Sequence, residues 1–425
     1  MGCGVWRLRV GRRVSGRLLA SVGVVVLAAG SLVAVGVSPA GATNVTTEAE
    51  FKTAWQLGTT TFIDLLNDIT ITCASGEPTR SSATAIVVNG NGHVLTQACA
   101  NKRVLEQMLA GKVTLTSITV TGGTTGAGLG GAALHTQGDV LVQHATLTGN
   151  HSGGEGGAIN TVAPGMGTVT VEDSAITDNT AGGSGGAIAA QGRVTITNST
   201  LSGNTTVGSG GAIRAYDGAT IVNSTLSNNT ASGGGGAISV ENFLDLIFAT
   251  VVDNSGAISD NLDFSAGTLF ASFGSVVALR SPPVGSNCLF EVDPGIHSSF
   301  GYNVDDDGSC DFGAGPGDRS NFLTALGLGA LANNGGPTQT RLPQTGSPLI
   351  DSIPNAACQT VAIITTDQRG LARPSPPGGA CDVGAVEVQR GGAGGGGNGS
   401  STTPSSAGGA AVAATPILVV PKFTG

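Results

Sequence analysis

The sequence predicts an all-β chain wound as a right-handed parallel β-helix, and three observations carry that expectation. Asn150, Asn179, Asn204, Asn229 and Asn254 recur at intervals of 29, 25, 25 and 25 residues, with a Gly-Gly-Ala-(Ile) block in step with them. A fixed period of that size specifies stacked supersecondary units rather than a single globular core. Counted back from each asparagine, Val113, Val140, Val169, Val194, Ala219 and Leu244 form one aliphatic column. Two residues on, Leu115, Val142, Val171, Ile196, Ile221 and Leu246 form another. Spacing by two, with mostly polar residues between, marks strands with one buried face. Finally, 70 of the 425 residues are glycine. Inside helices each would cost about 1 kcal/mol relative to alanine, which excludes a helical solenoid, whereas the Val, Ile and Thr of the strand segments suit a pleated sheet.

In chain order, residues 1–42 read as a secretory signal: five arginines from Arg7 to Arg17, an apolar stretch from Leu18 to Val37, and an Ala40-Gly41-Ala42 exit. Residues 43–111 read as an amino-terminal cap with irregular first coils. There Thr47-Glu48-Ala49-Glu50 has the form of a capping box opening a short helix to about Leu57, and Thr61 to Thr72 and Ile86 to Leu95 are strand-like. Residues 112–280 hold the repeats. Each copy supplies a strand segment, a turn at its asparagine, a glycine-rich bend, and a second short strand opening at Gly131, Gly157, Gly186, Gly211 or Gly236. Such a copy fits a coil of two or three strands. Coils stacked about 4.8 Å apart turn each column into a continuous ladder. A side-chain amide both donates and accepts, so the five asparagines are assigned to a structural ladder that bonds from coil to coil. The paired glycines supply tight bends at positive φ. From 281 to 388 Pro, Asp and Cys become frequent, which marks a loop-rich, disulfide-stapled terminal domain. Residues 389–425 read as a flexible Gly/Ser/Thr/Pro-rich tail.

The formal charge is −9, and loss of the signal's five arginines takes it to −14. An acidic exported chain is a poor partner for nucleic acid. Six cysteines remain after the signal and fall into sequential pairs: Cys73 with Cys99, Cys288 with Cys310, Cys358 with Cys381. Export favours disulfides and no pair has zinc-site spacing, though the sequence leaves other pairings open. The sequential bridges would staple the two ends, where a solenoid lacks a covering coil.

Asn287-Cys288, the run Gly301 to Cys310 with its Asn303-Val304-Asp305-Asp306-Asp307, Leu331-Ala332-Asn333-Asn334-Gly335-Gly336-Pro337-Thr338, Gly346-Ser347-Pro348-Leu349-Ile350-Asp351, Thr366-Asp367-Gln368-Arg369-Gly370 and the run Cys381 to Glu387 together resemble the choice-of-anchor Q domain. The resemblance implies an exported protein with a surface-attachment device after the domain. The Gly-Gly-Ala-Ile blocks, paired with Ile176-Thr177-Asp178-Asn179, Leu201-Ser202-Gly203-Asn204 and Leu226-Ser227-Asn228-Asn229, resemble the GGAI and FxxN repeats of polymorphic outer-membrane proteins. Leu or Ile stands here for the family's Phe. That resemblance implies a β-helical passenger and adhesion, without implying an outer-membrane translocator.

No residue set is assigned to catalysis or to cofactor binding. Leu342-Pro343-Gln344-Thr345-Gly346 has the letters of a wall-sorting signal but runs on into Ser347-Pro348-Leu349, not an apolar stretch and basic tail. Gly126-Ala127-Gly128-Leu129-Gly130-Gly131 has the letters of a dinucleotide fingerprint but sits at the repeat's glycine bend. Asn303, Asp305 and Asp307, followed by Gly308, reproduce the first half of a calcium loop, with Ala314 where a bidentate glutamate would stand. Calcium is therefore the one cofactor candidate, set beside the reading of a solvated acidic turn.

Ionisable groups in the repeats are sparse. In-register stacking is expected to put His135 over Thr161, Ala190, Ala215 and Val240, His151 over Thr180, Thr205 and Thr230, and Arg214 over Leu134, Asn160, Ala189 and Ser239. His144, Asp173, Asn198 and Asn223 share a column near Glu155, the nearest approach to a polar cluster. Outward Thr114, Leu141, Thr170, Thr195 and Thr220 form a threonine-rich strip that strand propensity accounts for. The expectation is an exported, non-catalytic β-helical surface or extracellular protein. Its faces would bind a glycan, matrix or cell-surface ligand, with no transmembrane segment after signal cleavage. The rival is a polysaccharide-acting enzyme, a lyase or glycoside hydrolase, which needs paired carboxylates, or calcium-binding acids with a basic residue, gathered on one face.

Overall fold

The computed structural model describes residues 42–278, 285–290, 297–313, 315–322, 324–361 and 364–390. The expected signal up to residue 41, Ala314, and the expected tail from residue 391 lie outside the described residues. Alternating apolar residues wind the chain into a parallel β-solenoid. One turn runs through Val140–Gln143, Thr146–Thr148, His151–Gly153 and Ile159–Thr161. Each segment pairs in parallel with its counterpart one turn on. Among the described residues this builds four lateral sheets, called first to fourth in that order, of eleven, ten, six and nine strands. Four strands per turn exceed the expected two or three. The additional one, the third sheet, shrinks to Thr180–Ala181, Thr205–Thr206 and Thr230–Ala231, too short to show any alternation.

Register makes the aliphatic columns into files. Val169 lies over Val194 and Val194 over Ala219, all fully buried. The first sheet's two files face Leu147, Ile176, Leu201 and Leu226 of the second and Ile159, Ile188, Ile213 and Ile238 of the fourth. Each such side chain contributes about 1.5–3 kcal/mol of apolar burial. The asparagines lie at the corner between the second and third sheets. Asn179 Nδ2 and its backbone N–H both donate to Asn204 Oδ1, at 3.0 and 3.1 Å, and Asn204 repeats both bonds to Asn229 at 2.9 and 3.1 Å. A serine file runs parallel at the corner between the first and second sheets. Ala145, Ser174 and Ser199 donate their N–H groups to the Oγ of Ser174, Ser199 and Ser224.

Both ends are covered. Thr47 caps helix α1, Glu48–Gln56, with the reciprocal Glu50 bond of a capping box, and α1 buries Phe51, Ala54 and Trp55 over the first coil. The fully buried Arg80 donates to the carbonyls of Trp55, Leu57, Gly58 and Thr60, satisfying acceptors that the helix end leaves open. At the other end the ladder continues past residue 280. Ser286–Phe290, His297–Ser299 and Val304–Asp305 extend the fourth, first and second sheets, and Phe264, Phe270, Phe290 and Phe312 close the core with ring contacts. Disulfides join Cys73 to Cys99, Cys288 to Cys310, and Cys358, on helix α2 (Asn355–Val361), to Cys381.

The chain then turns back and lies along the second sheet. Outward residues of Thr146–Thr148 and Ala175–Thr177 are half-exposed, whereas every residue of Thr200–Ser202, Thr225–Ser227, Thr250–Val252 and Val276–Ala278 is buried. Gln368 is the central lock. Its Nε2 donates to Ser199 O, Thr200 Oγ1 and Thr338 Oγ1 at 3.1, 2.8 and 2.9 Å, and its Oε1 accepts from Thr225 Oγ1 at 2.6 Å. Arg341 reaches Ser227 and pairs with Asp253, and the Arg373 guanidinium stacks 4.1 Å from the Phe248 ring centre. Gln368→Leu leaves buried hydroxyls short of partners, so the denaturation midpoint is expected to fall by the equivalent of about 2–4 kcal/mol. An unchanged urea midpoint would show that the layer is not locked there.

Candidate binding face on the fourth sheet

Each three-residue strand of the fourth sheet, from Leu105–Gln107 to Ile238–Val240, sends its first residue into the core and its middle residue outward. The outward file reads Glu106, His135, Asn160, Ala189, Arg214, Ser239, Asp263. This corrects the expected stacking of His135 over Thr161 and Ala190, and of Arg214 over Leu134. The first copy carries Gly130-Gly131-Ala132-Ala133-Leu134, so Ala132, not Gly131, stands opposite Gly157. A slip of one residue moves a side chain to the other face of a sheet. With it removed, His135 and Arg214 join one polar file.

The densest part of the file is a bridge across coils. Tyr216, just past Ile213–Ala215, donates its hydroxyl to Glu155 Oε1 at 2.6 Å. Glu155 sits in the bend before Ile159–Thr161, two rungs away, and the intervening outward residue, Ala189, is fully buried. Glycine opens the route: a Cβ on Gly183 would lie 2.9 Å from Glu155 Cγ. Arg214 stacks on the Tyr216 ring at 4.4 Å, donates to Ser239 Oγ at 2.8 Å and pairs with Glu241. Ser239 Oγ in turn donates a hydrogen bond to Asp263 Oδ2 at 3.1 Å. Burial, and the carboxylate of Glu155, push the Tyr216 phenol up, so it is a neutral donor. One rung beyond Asn160, burial and the nearby Arg103 lower His135, whose Nδ1 lies 3.1 Å from Asn160 Oδ1.

The other sequence candidates settle elsewhere. His144, Asp173, Asn198 and Asn223 do form one column, but each has φ between 46° and 50°. Their corner between the first and second sheets demands a left-handed residue, which Asn and Asp tolerate. Glu155 belongs to a different corner. The Gly126 to Gly131 run bridges Thr124–Ala127 and Leu134–Thr136, with no helix behind it. Leu342 and Pro343 end the strand Thr340–Pro343, antiparallel to Leu328–Ala332.

The asparagine ladder terminates on the acids. Asn254 donates to Asn261, Asn261 to Asn287, and Asn287 Nδ2 to Asp305, Asp306 and Asp307 at 3.2, 2.7 and 3.0 Å. Carboxylate oxygens of these three aspartates lie within 4.8 Å of one another. Asn303 is not brought to them. It ends the serine file instead, accepting from Ser275 N and donating to Asp318. Both oxygens of the fully buried Asp305 are already engaged, Oδ1 by the N–H groups of Asp307 and Gly308 and Oδ2 by that of Cys310.

Burial, then the neighbouring Asp307, raises Asp305 from 3.8 to about 6, while hydrogen bonds from Asp305 and Ser309 hold Asp307 below its usual value. Burial likewise raises Glu387, 3.9 Å from Arg373 and fully enclosed, from 4.5 to about 7. A carboxyl raised on folding stabilises fully below its unfolded value and loses that contribution as pH climbs through the folded one. Asp305 therefore acts between about pH 4 and 6 and Glu387 between about 4.5 and 7, each on the order of 2–3 kcal/mol. Asp307 has the opposite sign, at lower pH. The melting temperature is expected to be higher at pH 4.5 than at pH 7.5; the reverse order would remove this account of the two buried carboxyls.

Two family matches fall on this solenoid. Residues 42–208 match the putative pectate lyase-like adhesive domain. Residues 223–241, from Asn223 through the Gly235-Gly236-Ala237-Ile238 block, match the Chlamydia polymorphic membrane protein repeat. No curated protein and no solved structure matches the chain. Both matched stretches precede Asn287, so neither bears on the expected resemblance of the later residues to the choice-of-anchor Q domain. No helix among the described residues is long and apolar enough to cross a membrane. The cross-coil bridge was missed in the sequence. Its signal was there: one of only two tyrosines stands two residues from the one arginine of the outward file.

Proposed function

We propose that this protein is a surface or extracellular adhesin-like β-solenoid that binds a glycan, matrix or cell-surface ligand through its outward faces. The observation that carries this reading is the adhesive-domain match over residues 42–208, the stretch that forms the covered amino-terminal end and the coils up to Val207. The repeat match over 223–241 supports the same reading. The described residues from 285 on form the last coil and the layer along the second sheet, and their choice-of-anchor Q resemblance makes them the region nearest an attachment device. The test presents full-length protein on beads to cells, matrix proteins and polysaccharides. Retention without chemical change supports adhesion; release of oligosaccharides would replace it with a polysaccharide-acting enzyme.

Calcium belongs to the same reading as a stabiliser of the end closure, held by Asp305, Asp306 and Asp307, with Asn303 outside the set. At pH 7.5 calcium is expected to raise the melting temperature over a chelator control. Equal values in the two would remove the ion.

A further inference from the structure

We infer that the Glu155–Tyr216–Arg214 bridge is a binding platform for a neutral, hydroxyl-rich glycan chain lying along the fourth sheet. The inference rests on the adhesive reading above and gives it a site and a ligand class.

The platform is built in advance of binding. Tyr216 is held at its hydroxyl by Glu155 and on its ring by Arg214, and Arg214 is in turn fixed by Ser239 and Glu241. Side chains ordered beforehand lose little conformational freedom when a ligand arrives. All four outer members, Glu155, Arg214, Tyr216 and Glu241, remain partly accessible. Oxygens are also left to bind with. Glu155 and Glu241 each use Oε1 within the bridge, and their Oε2 atoms have no hydrogen-bond partner among the described residues. A carboxylate oxygen beside an amphipathic ring suits a sugar, which presents apolar C–H faces and hydroxyl edges together.

The surroundings favour an extended chain. Beside the bridge the bends carry Gly182, Gly183, Gly208, Gly233 and Gly234, which leaves Val207 as the one large exposed side chain among them. Rungs repeat about every 4.8 Å, and Glu155 and Tyr216 belong to rungs two apart, so the platform is a strip and not a point. Charge selects among glycans. The chain carries a formal −9, and Asp217, Glu241 and Asp263 flank the platform. Uronate or sulfated chains would meet like charge, whereas neutral ones are not penalised.

Affinity electrophoresis of the full-length protein in gels holding a neutral β-glucan, a galactomannan or polygalacturonate tests this. Retardation is expected in a neutral gel and not in polygalacturonate. Tyr216→Ala is expected to weaken it roughly tenfold and Glu155→Gln less, with the melting temperature little changed. Thr195→Ala, on the first sheet, is the control expected to behave as the parent. Should Tyr216→Ala fail to fold, Tyr216→Phe, which keeps the ring and frees Glu155, must still weaken retardation. Parent-like retardation by both tyrosine variants would overturn the site while leaving adhesion intact. Preference for polygalacturonate, or retention of cells or matrix with no glycan retained, would overturn the ligand class. Failure to retain glycans, matrix or cells would overturn the adhesive reading itself.

Discussion

Replacing Asn204 with leucine is expected to destabilise the solenoid by about 3–5 kcal/mol, out of the 5–15 kcal/mol typical of a whole domain. The side chain is fully buried and makes four bonds to other coils. Its Oδ1 accepts from the Asn179 backbone N–H and from Asn179 Nδ2, and its Nδ2 donates to Ile176 O and Asn229 Oδ1. Leucine has nearly the same size, so packing changes little and the loss is polar. Asn179 Nδ2 keeps Leu147 O and Thr177 O. The Asn179 N–H keeps nothing, and an orphaned buried donor costs about 1–3 kcal/mol beyond the bonds lost. Stability in a stacked array is a sum of coil and interface terms, so the damage falls on one junction at its middle. Urea unfolding followed by circular dichroism should show a midpoint well below that of Thr195→Ala, an outward change expected to stay within about 0.5 kcal/mol of the parent. A midpoint for Asn204→Leu within error of the control would mean that the ladder is decoration and that aliphatic files alone hold the coils together.

What the sequence made legible was whatever repeats. Val169, Val194 and Ala219 could be stacked on paper because burial forces the same residue class at the same place every 25 residues. Errors arose where the period breaks. The longer glycine block at Gly130 shifted His135 by one position and hid the polar file of the fourth sheet. Contacts without periodicity left no trace: Gln368 meets Ser199 across 169 residues, and Arg341 meets Ser227 across 114. Such locks depend on where the terminal layer lies, which no local pattern encodes. The acidic run was visible as a motif, yet its role as the terminus of the asparagine ladder required Asn261 and Asn287, which stand outside the regular interval.

Gly211→Ala, the addition of one methyl group, is expected to be as damaging as the loss of Asn204. A Cβ at this position would lie 2.0 Å from Gly236 O and 2.8 Å from Thr230 N, both backbone atoms of the next coil. Neither can swing away. Gly211 N donates to Gly235 O at 2.9 Å, Ala212 N to Ala237 O at 2.9 Å, and Ile213 pairs with Ile238 beside them, so the coils are fastened on both sides of the clash. Relief requires prying two coils apart against those bonds, at a cost of about 3–5 kcal/mol. The same geometry recurs at Gly157 and Gly186, 2.0 and 2.1 Å from the carbonyls of Gly186 and Gly211. One coil already carries the methyl, at Ala132, and it shows what accommodation takes. Ala132 N donates to Gly157 O at 3.3 Å, whereas Gly157, Gly186 and Gly211 all donate to the residue before their register partner. The added residue in that copy's glycine block gives the backbone a different path between its two neighbouring coils, an option closed to the shorter blocks of the other copies. Thermal melting of Gly211→Ala beside Gly183→Ala separates the steric argument from glycine's general flexibility. A Cβ on Gly183 would come no nearer than 2.9 Å to Glu155 Cγ and 3.1 Å to the backbone of Gly154 and Glu155, against 2.0 Å at Gly211, so its variant should lose less stability; equal losses in the two would show that chain entropy, not coil spacing, fixes these glycines.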